Sequence, residues 1–391
     1  MSLLSKAQAI AAEMIAIRRH LHQHPELSNQ EFETTKLVAS YLSKWDIPYT
    51  IAESGTGIVA LIQTLNATKT LALRADMDAL PIVEETAVPY KSIHTGVMHA
   101  YGHDLHTAVL LGTAKMLIDN QHLLKVNVKL IFQPAEEIMS GAKEMLQAGV
   151  LKNPKVDAAV ALHTSPDLSV GEIGIRQGAM LAACDNITIT IKGAGGHAAH
   201  PHKSVDPIMI AGHVLTSLQT IISRELPPTE QAVVTIGQIH GGEAHNIIPE
   251  TVIMKGTVRT TNPAIREQMP TIIERIIHHT AQSMRGAATL HYEHGCPALI
   301  SDMPLLQLFE QVTSELLGEE HVVHMPVPSM GGEDFAYFLE QVPGFMFRMG
   351  TGSDNENTRR ALHNYKVEFE DEAIQYGIAA MVNFALAYGE V

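Results

Sequence analysis

Histidine and acidic side chains cluster in one short stretch of this sequence, MHAYGHDLHTAVLLGTA (98–114). The stretch carries His99, His103, Asp104 and His106 and then becomes apolar. The apolar residues recur at helical spacing, so we predict a helix whose first turn holds these polar groups. Imidazole and carboxylate groups are ligands for zinc, manganese, cobalt and nickel ions, so the stretch indicates a metal site.

Acidic and histidine side chains also follow three segments that we predict to be buried strands. Asp76 follows the first segment, Glu136 and Glu137 follow the second, and His163 follows the third. Ligands of open α/β sheets bind at the carboxyl ends of the strands, so these groups are expected to converge. The adjacent glutamates favour a division of labour, in which one binds a metal and the other accepts a proton from water.

The elements that position these residues form an α/β pattern. Strands alternate with helices up to about residue 180, which predicts a mostly parallel sheet covered by helices on both faces. The order then becomes β-α-β-β-α-β, which is typical of a ferredoxin-like α+β unit. We therefore predict a catalytic metal-binding domain of residues 1–180 and 294–391, with an inserted small domain of residues 181–293.

Composition narrows the classes of partner. A chain of 391 residues exceeds what one hydrophobic core usually serves, which favours two domains. The net charge of −15 argues against a nucleic-acid partner. The absence of an apolar run of about 18 residues predicts no membrane span. Two cysteines allow no disulfide framework, so we expect a cytoplasmic protein.

Motifs along nearly the whole chain resemble those of the aminoacylase/carboxypeptidase clan of metal-dependent amidohydrolases. The most similar branch contains hippurate hydrolases, N-acyl-amino-acid deacetylases and auxin–amino-acid conjugate hydrolases. The motifs are, in chain order, RRHLHQHPELS, LRADMDALP, MHAYGHDLHTA, FQPAEE, ALHTSP, GAGGHAAHPH, AHNIIPE, GTVRT, SMGGEDFAYF and ALHN.

The resemblance implies hydrolysis of the amide bond of a small-molecule N-acyl amino acid, such as an N-acetyl or N-benzoyl amino acid. It also implies two divalent metal ions per subunit, and a homodimer or homotetramer formed through the small domain, which would also close over substrate. Two alternatives stay open. One is a di- or aminopeptidase of the same clan, and the other is a metal-poor, non-catalytic binding protein.

Individual residues acquire roles from the resemblance. Glu136 becomes the general base, and Asp76 becomes the residue that orients a ligand histidine. His197 becomes the residue that contacts the substrate carbonyl, and Asn246 and Arg259 become the residues that hold the substrate carboxylate. The metal ligands implied are His103, Glu137, His163 and His363.

Tyr101 departs from the pattern of this branch. Relatives carry a cysteine at this position, whose thiolate bridges two metals, and a phenol is a bulkier and poorer ligand. Three interpretations follow: one metal held by the remaining ligands, two metals with Tyr101 bound as a phenolate or displaced, or a metal-free site. All other motifs are intact, which argues against a decayed enzyme.

Overall fold

A computed structural model describes residues 2–390, which divide into two compact units. The large unit comprises the chain up to Gly178, Ile300–Val327 and the chain from Asp334 onward. The small unit comprises Ala179–Leu299 together with Pro328–Glu333. The small domain predicted from the sequence, residues 181–293, lies inside the longer segment and does not include Pro328–Glu333. The closure and dimerisation roles expected of the small domain stay predictions.

The secondary structure follows the predicted alternation of strands and helices. The strands are β1 (Tyr49–Ile51), β2 (Ile58–Ile62), β3 (Thr70–Asp76), β4 (Asn127–Gln133), β5 (Ala158–Ser169), β6 (Ile173–Ile175), β7 (Ala179–Leu181), β8 (Ala183–Lys192), β9 (Gly196–His197), β10 (Ala232–His240), β11 (Ile247–Ile248), β12 (Thr251–Thr260), β13 (Ala287–Cys296), β14 (Leu299–Ile300), β15 (Val322–His324) and β16 (Gly344–Gly352). The helices are α1 (Leu3–Gln23), α2 (Phe32–Lys44), α3 (His103–Asp119), α4 (Gly141–Gln147), α5 (Pro207–Thr220), α6 (Pro263–Ser283), α7 (Met303–Leu317), α8 (Ala336–Leu339) and α9 (Ala373–Tyr388).

The large unit is built on an eight-stranded sheet in the order β1-β2-β4-β3-β5-β16-β6-β15. Its centre is parallel, because β3 pairs in parallel with both β4 and β5, and β16 pairs in parallel with β5. Every residue of β3 is buried, as expected of a strand covered on both faces. The sheet is mixed at its margins, where β2 runs antiparallel to β4 and β6 antiparallel to β16.

Helix α3 begins at His103, as the apolar spacing predicted. Gly102 precedes it with φ of +90°, a conformation that only glycine adopts without strain. A β-carbon at Gly102 would also lie 2.6 Å from the Thr164 side chain. Helix α3 carries apolar residues on most of its faces and is therefore buried on most of its surface. It packs against α1 and α9. The start of α3 is therefore pressed against the strand that carries His163.

The small unit contains a four-stranded antiparallel sheet in the order β10-β12-β8-β13. Helices α5 and α6 pack on this sheet and on each other. Alternate residues of β8, including Ile187, Ile189 and Ile191, are buried in a separate hydrophobic core. This order and connectivity are those of a ferredoxin-like unit, so the predicted fold class is confirmed.

Across residues 2–390, no helix is both long enough and apolar enough to cross a membrane.

Candidate metal centre

His103 is fully buried at the start of α3 and is oriented by Asp78. Its Nδ1 atom lies 2.9 Å from the Asp78 carbonyl oxygen and 3.3 Å from the Asp78 carboxylate. Nδ1 therefore carries the hydrogen, and Nε2 faces away from Asp78. Within the described chain Nε2 makes no hydrogen bond; its nearest acidic oxygens belong to Asp76, at 3.7 Å, and Glu136, at 4.0 Å. This is the orientation that a metal-binding histidine needs.

The two glutamates after β4 are fixed by the same aspartate. The Asp78 carboxylate accepts hydrogen bonds from the backbone amides of Glu136, at 3.1 Å, and Glu137, at 3.0 Å. Ala135, just before them, has φ of +53°, and its amide donates to Glu31 at 2.8 Å. These bonds hold the turn in which both glutamates point toward His103. One ligand atom from each of these three side chains lies within 4.8 Å of the others.

His163 is buried in the middle of β5, whereas the sequence predicted that it follows the strand. Its Nδ1 atom donates to the Thr164 carbonyl oxygen at 3.0 Å, so Nε2 carries the lone pair. No hydrogen-bond partner for this buried Nε2 exists among residues 2–390. Burial and the neighbouring charge of Arg348 hold the pKa of His163 well below its usual value. The imidazole is therefore neutral, which is the protonation state that a metal requires.

Asp76 binds His106, which is not one of the predicted ligands. The Nδ1 atom of His106 lies 2.6 Å from Asp76, and its Nε2 accepts from the Thr164 amide at 2.9 Å. Both ring nitrogens of His106 are thus occupied, so it braces the site without binding a metal. Arg74 holds the second Asp76 oxygen at 2.6 Å. The orienting role toward a ligand histidine stays a prediction for Asp76, whereas Asp78 makes that contact with His103.

The predicted ligand histidines differ in protonation: the pKa of His103 is raised, whereas the pKa values of His163 and His363 are lowered. Burial lowers the pKa of His103, but the charges of Asp76, Asp78 and Glu137 outweigh it and raise the pKa to about 10. The pKa of His363 is lowered by burial and by His103. A single imidazolium therefore stands beside several carboxylates. A divalent cation bound here would replace that proton as the counter-charge.

His363 completes the set of predicted ligands from a loop near the end of the chain. Its φ is +66°, and its amide donates to the Ala100 carbonyl oxygen at 2.9 Å. Its Nε2 atom lies 3.6 Å from the Glu137 carboxylate. Half of its side chain is exposed, in contrast to the buried His103 and His163. The large unit therefore brings all four predicted ligands to one place.

The Tyr101 ring stands beside three of these ligands. Its centroid lies 4.4 Å from the rings of His163 and His363, and 5.4 Å from that of His103. Its backbone carbonyl oxygen accepts a hydrogen bond from the Thr164 hydroxyl at 2.7 Å. The Tyr101 side chain therefore lies among the predicted metal ligands.

The residues present fit a divalent cation. Buried Nε2 atoms that lack a hydrogen bond are costly unless a ligand satisfies them. Among the described residues, His103 and His163 both present such an atom. The carboxylates of Glu136 and Glu137 adjoin His103. Imidazole and carboxylate donors match zinc, manganese, cobalt and nickel, as the sequence predicted.

The N-terminal RRHLHQHPELS motif holds residues that neighbour the metal ligands, a role that was not predicted from the sequence. Arg18 and His22, both buried on α1, bind the Asp104 carboxylate at 2.8 and 2.9 Å. Ser28 donates to Asp78 at 2.7 Å. These residues hold the first turn of α3 and the aspartate that orients His103. The sequence shows these residues in the RRHLHQHPELS motif, but it does not show their partners Asp104 and Asp78, which lie far from the motif along the chain.

His197 and Asn246 are neighbours within the small unit. Strands β9 and β11 pair His197 with Ile247, and the Ala198 amide donates to the Asn246 carbonyl oxygen at 3.0 Å. The Ala199 amide lies 3.1 Å from Nδ1 of His197, so Nδ1 accepts and Nε2 carries the hydrogen. The exposed imidazole is thereby prepared to donate from Nε2. Its contact with a substrate carbonyl stays a prediction.

Arg259 lies on β12 of the small unit. Its Nε atom donates a hydrogen bond to the Thr257 hydroxyl at 2.9 Å, and this bond fixes the orientation of the guanidinium. Arg259 pairs directly with Cys184 on β8. The predicted grip on a substrate carboxylate stays a prediction for both Arg259 and Asn246.

The geometry agrees with what comparison with known proteins finds. Residues 72–387 match the model of peptidase family M20/M25/M40. N-acetyl-L-cysteine deacetylase of Bacillus subtilis is 41% identical over 348 residues, which are 88% of this chain and 82% of the relative. IAA-amino acid hydrolase ILR1-like 4 of Arabidopsis thaliana is 38% identical over 379 residues, which are 96% of this chain and 85% of the relative.

A solved structure extends the similarity to three dimensions. The Bacillus subtilis YXEP protein, described as a dinuclear metal binding peptidase from the M20 family, superposes with a TM-score of 0.87. The two chains are 35% identical, and the match covers 98% of this chain and 99% of the other.

Proposed function

This chain belongs to peptidase family M20/M25/M40, which confirms the resemblance seen in its motifs, and we propose that it hydrolyses the amide bond of N-acyl amino acids. The observation that carries the proposal is the pair of buried Nε2 atoms on His103 and His163, beside two glutamates. The relatives named deacetylase and amino acid hydrolase support the choice of substrate class. These relatives favour an N-acyl amino acid over a dipeptide.

A divalent cation held by His103, Glu137, His163 and His363 would supply Lewis acidity, which acidifies water and polarises a carbonyl. The metal's identity and the number of ions are part of the proposal. We favour one ion, because Tyr101 stands where the branch carries its bridging cysteine. Zinc, manganese, cobalt and nickel all suit the donors.

Glu136 acts as the general base. Its side chain is 1% exposed, and its backbone is fixed by Asp78, so the carboxylate is held close to His103. Glu136 accepts a proton from the attacking water and returns it to the leaving amine.

The small unit selects the substrate. We propose that Arg259 and Asn246 hold the free carboxylate of the amino acid, because a guanidinium binds a carboxylate with two parallel hydrogen bonds. His197 donates from Nε2 to the oxyanion that forms on the carbonyl. We also propose assembly as a homodimer or homotetramer through the small unit and a cytoplasmic location.

Metal removal paired with a substrate screen tests the function. The purified protein is assayed with N-acetyl amino acids, N-benzoyl amino acids and dipeptides, before and after chelation, with elemental analysis of each sample. We expect hydrolysis of acyl amino acids that disappears with the metal and returns when one of the four ions is added. Hydrolysis of dipeptides alone would support the peptidase instead. A metal-free protein that hydrolyses none of them after metal addition would support a binding protein.

A further inference from the structure

The two cysteines of the chain, Cys184 and Cys296, face each other within the small unit. They are directly paired across the antiparallel strands β8 and β13. Opposed residues of such a pair share one face of the sheet, with Cα atoms about 4.5–5.5 Å apart. A disulfide requires a Cα separation of about 4.4–6.8 Å. The strand register therefore brings two distant cysteines to bridging distance.

A bulge sets this register. The β13 ladder shifts just before Cys296, where the Gly295 amide donates to Asp185 at 3.0 Å and Arg266 donates to the Gly295 carbonyl at 2.8 Å. A β-carbon on Gly295 would lie 2.0 Å from the Cys184 carbonyl oxygen, so only glycine permits the close approach. These contacts return β13 to pairing at Cys296, and they make the opposition of the two thiols a defined feature of the fold.

The two thiols differ in exposure and acidity. Cys184 is partly exposed, whereas Cys296 is 1% exposed. The hydrogen bond with Cys296 lowers the pKa of the Cys184 thiol to about 7, and the charge of Arg259 adds to this effect against burial and Asp185. The same hydrogen bond and burial raise the pKa of the Cys296 thiol. An accessible thiolate with a protonated thiol behind it is the arrangement that thiol–disulfide exchange requires.

We propose that Cys184 and Cys296 are a redox-active dithiol that a small disulfide, such as oxidised glutathione, converts to an intramolecular disulfide. The Cys184 thiolate attacks one sulfur of the small disulfide, forms a mixed disulfide and releases one glutathione thiolate. Cys296 then gives up its proton, and its thiolate attacks the Cys184 sulfur and releases the second glutathione thiolate. Two protein thiols are oxidised and one external disulfide is reduced. This inference is independent of the proposed substrate.

The test uses the whole protein, fully reduced and then incubated under native conditions with oxidised glutathione. We expect the intact mass to fall by two hydrogen atoms, with no bound glutathione, and the count of free thiols to fall from two to none. Peptide mapping should join the peptides that contain Cys184 and Cys296, and dithiothreitol should restore both thiols. A wild-type protein that keeps both thiols, retains glutathione or links two chains overturns the proposal.

Matched single variants separate the two roles. Cys296→Ser lacks the second thiol, so Cys184 should retain one glutathione as a stable mixed disulfide. Cys184→Ser should stay unmodified, because Cys296 is buried. Glutathione bound by Cys184→Ser at the rate of Cys296→Ser would contradict the assigned order of attack. Circular dichroism checks folding, and the wild-type mass result decides the question if either variant fails to fold.

Discussion

The Nδ1 atom of His103 lies 2.9 Å from the backbone carbonyl oxygen of Asp78, whose carboxylate binds the amides of Glu136 and Glu137. One aspartate thus orients a predicted metal ligand, the proposed general base and a second ligand. Burial raises the pKa of Asp78, but hydrogen bonds from His103 and Ser28 and the charge of His103 bring it below its usual value. The carboxylate is therefore ionised in the folded protein.

Asp78→Ala should weaken metal binding about 10- to 100-fold, the usual cost of losing a group that orients a metal ligand. Isothermal titration with zinc or manganese measures the affinity. Ser28→Ala is the matched control, because it removes one of the hydrogen bonds to Asp78 and leaves the contact with His103. The variant keeps the backbone carbonyl that contacts His103, so equal metal affinity in Asp78→Ala and wild type would show that the Asp78 carboxylate does not orient the site.

Glu136→Gln should keep metal content close to that of wild type and lower kcat by about 10²- to 10⁴-fold, because the amide cannot accept a proton. Steady-state kinetics with elemental analysis measures both. Glu137→Gln is the comparison, and it should reduce metal occupancy instead. A Glu136→Gln enzyme with wild-type kcat would remove Glu136 from the role of base.

Tyr101→Cys should bind more metal per chain than wild type. The thiolate is a better ligand for zinc than a phenol, and the smaller side chain vacates the space beside His163 and His363. Metal stoichiometry in zinc-supplemented buffer is the measurement, and Tyr101→Phe controls for loss of the hydroxyl alone. Identical stoichiometry in wild type and Tyr101→Cys would show that Tyr101 does not limit the number of ions.

Arg259→Ala should raise KM strongly for substrates with a free carboxylate and little for their amides or esters, because the lost contact is charge-assisted. The comparison of KM for an N-acyl amino acid and its methyl ester measures this selectivity. Thr257→Val is a useful second variant, because it removes only the hydrogen bond that fixes Arg259. An equal rise for both substrate types would assign Arg259 a structural role.

Asp104→Asn should destabilise the large unit by about 1–3 kcal/mol at neutral pH, because it removes a buried charge-assisted contact of Arg18, which then keeps Asp371 as its ionic partner. Burial raises the pKa of Asp104, but the charges of Arg18 and His22 lower it well below its usual range. The stabilisation is therefore complete above the unfolded pKa of about 4 and is lost as pH falls below it. Urea unfolding at a series of pH values should show the difference between wild type and variant shrinking as pH falls. A difference that is constant with pH would contradict this ionic contribution.

Much of the fold was predictable because it depends on local patterns. The apolar spacing of α3 and the buried run of β3 identify a helix and a strand without reference to any other part of the chain. The position of Glu136 just after β4 follows from the rule that parallel strands present ligand groups at their carboxyl ends, whereas His163 lies inside β5, which continues to Ser169. The order of elements in the small unit likewise indicated a ferredoxin-like sheet.

The hydrogen-bond partners of polar side chains could not be predicted from the sequence, because contacts between distant segments produce no regular spacing of residue types. His106 and His163 look equally suited to bind a metal in the sequence. The structure separates them, since both nitrogens of His106 are hydrogen-bonded and Nε2 of His163 is not. The contact of Asp78 with His103 was missed for the same reason.

The sequence by itself determined which residues are capable of metal chemistry and which strands and helices carry them, because composition and spacing are properties of the chain. Only the tertiary structure decided which side chains contact one another. It placed the Tyr101 ring against His163 and His363, and it paired Cys184 with Cys296 through a bulge at Gly295. Such pairings depend on strand register and on close packing between segments far apart in sequence, and both are fixed only when the whole core forms.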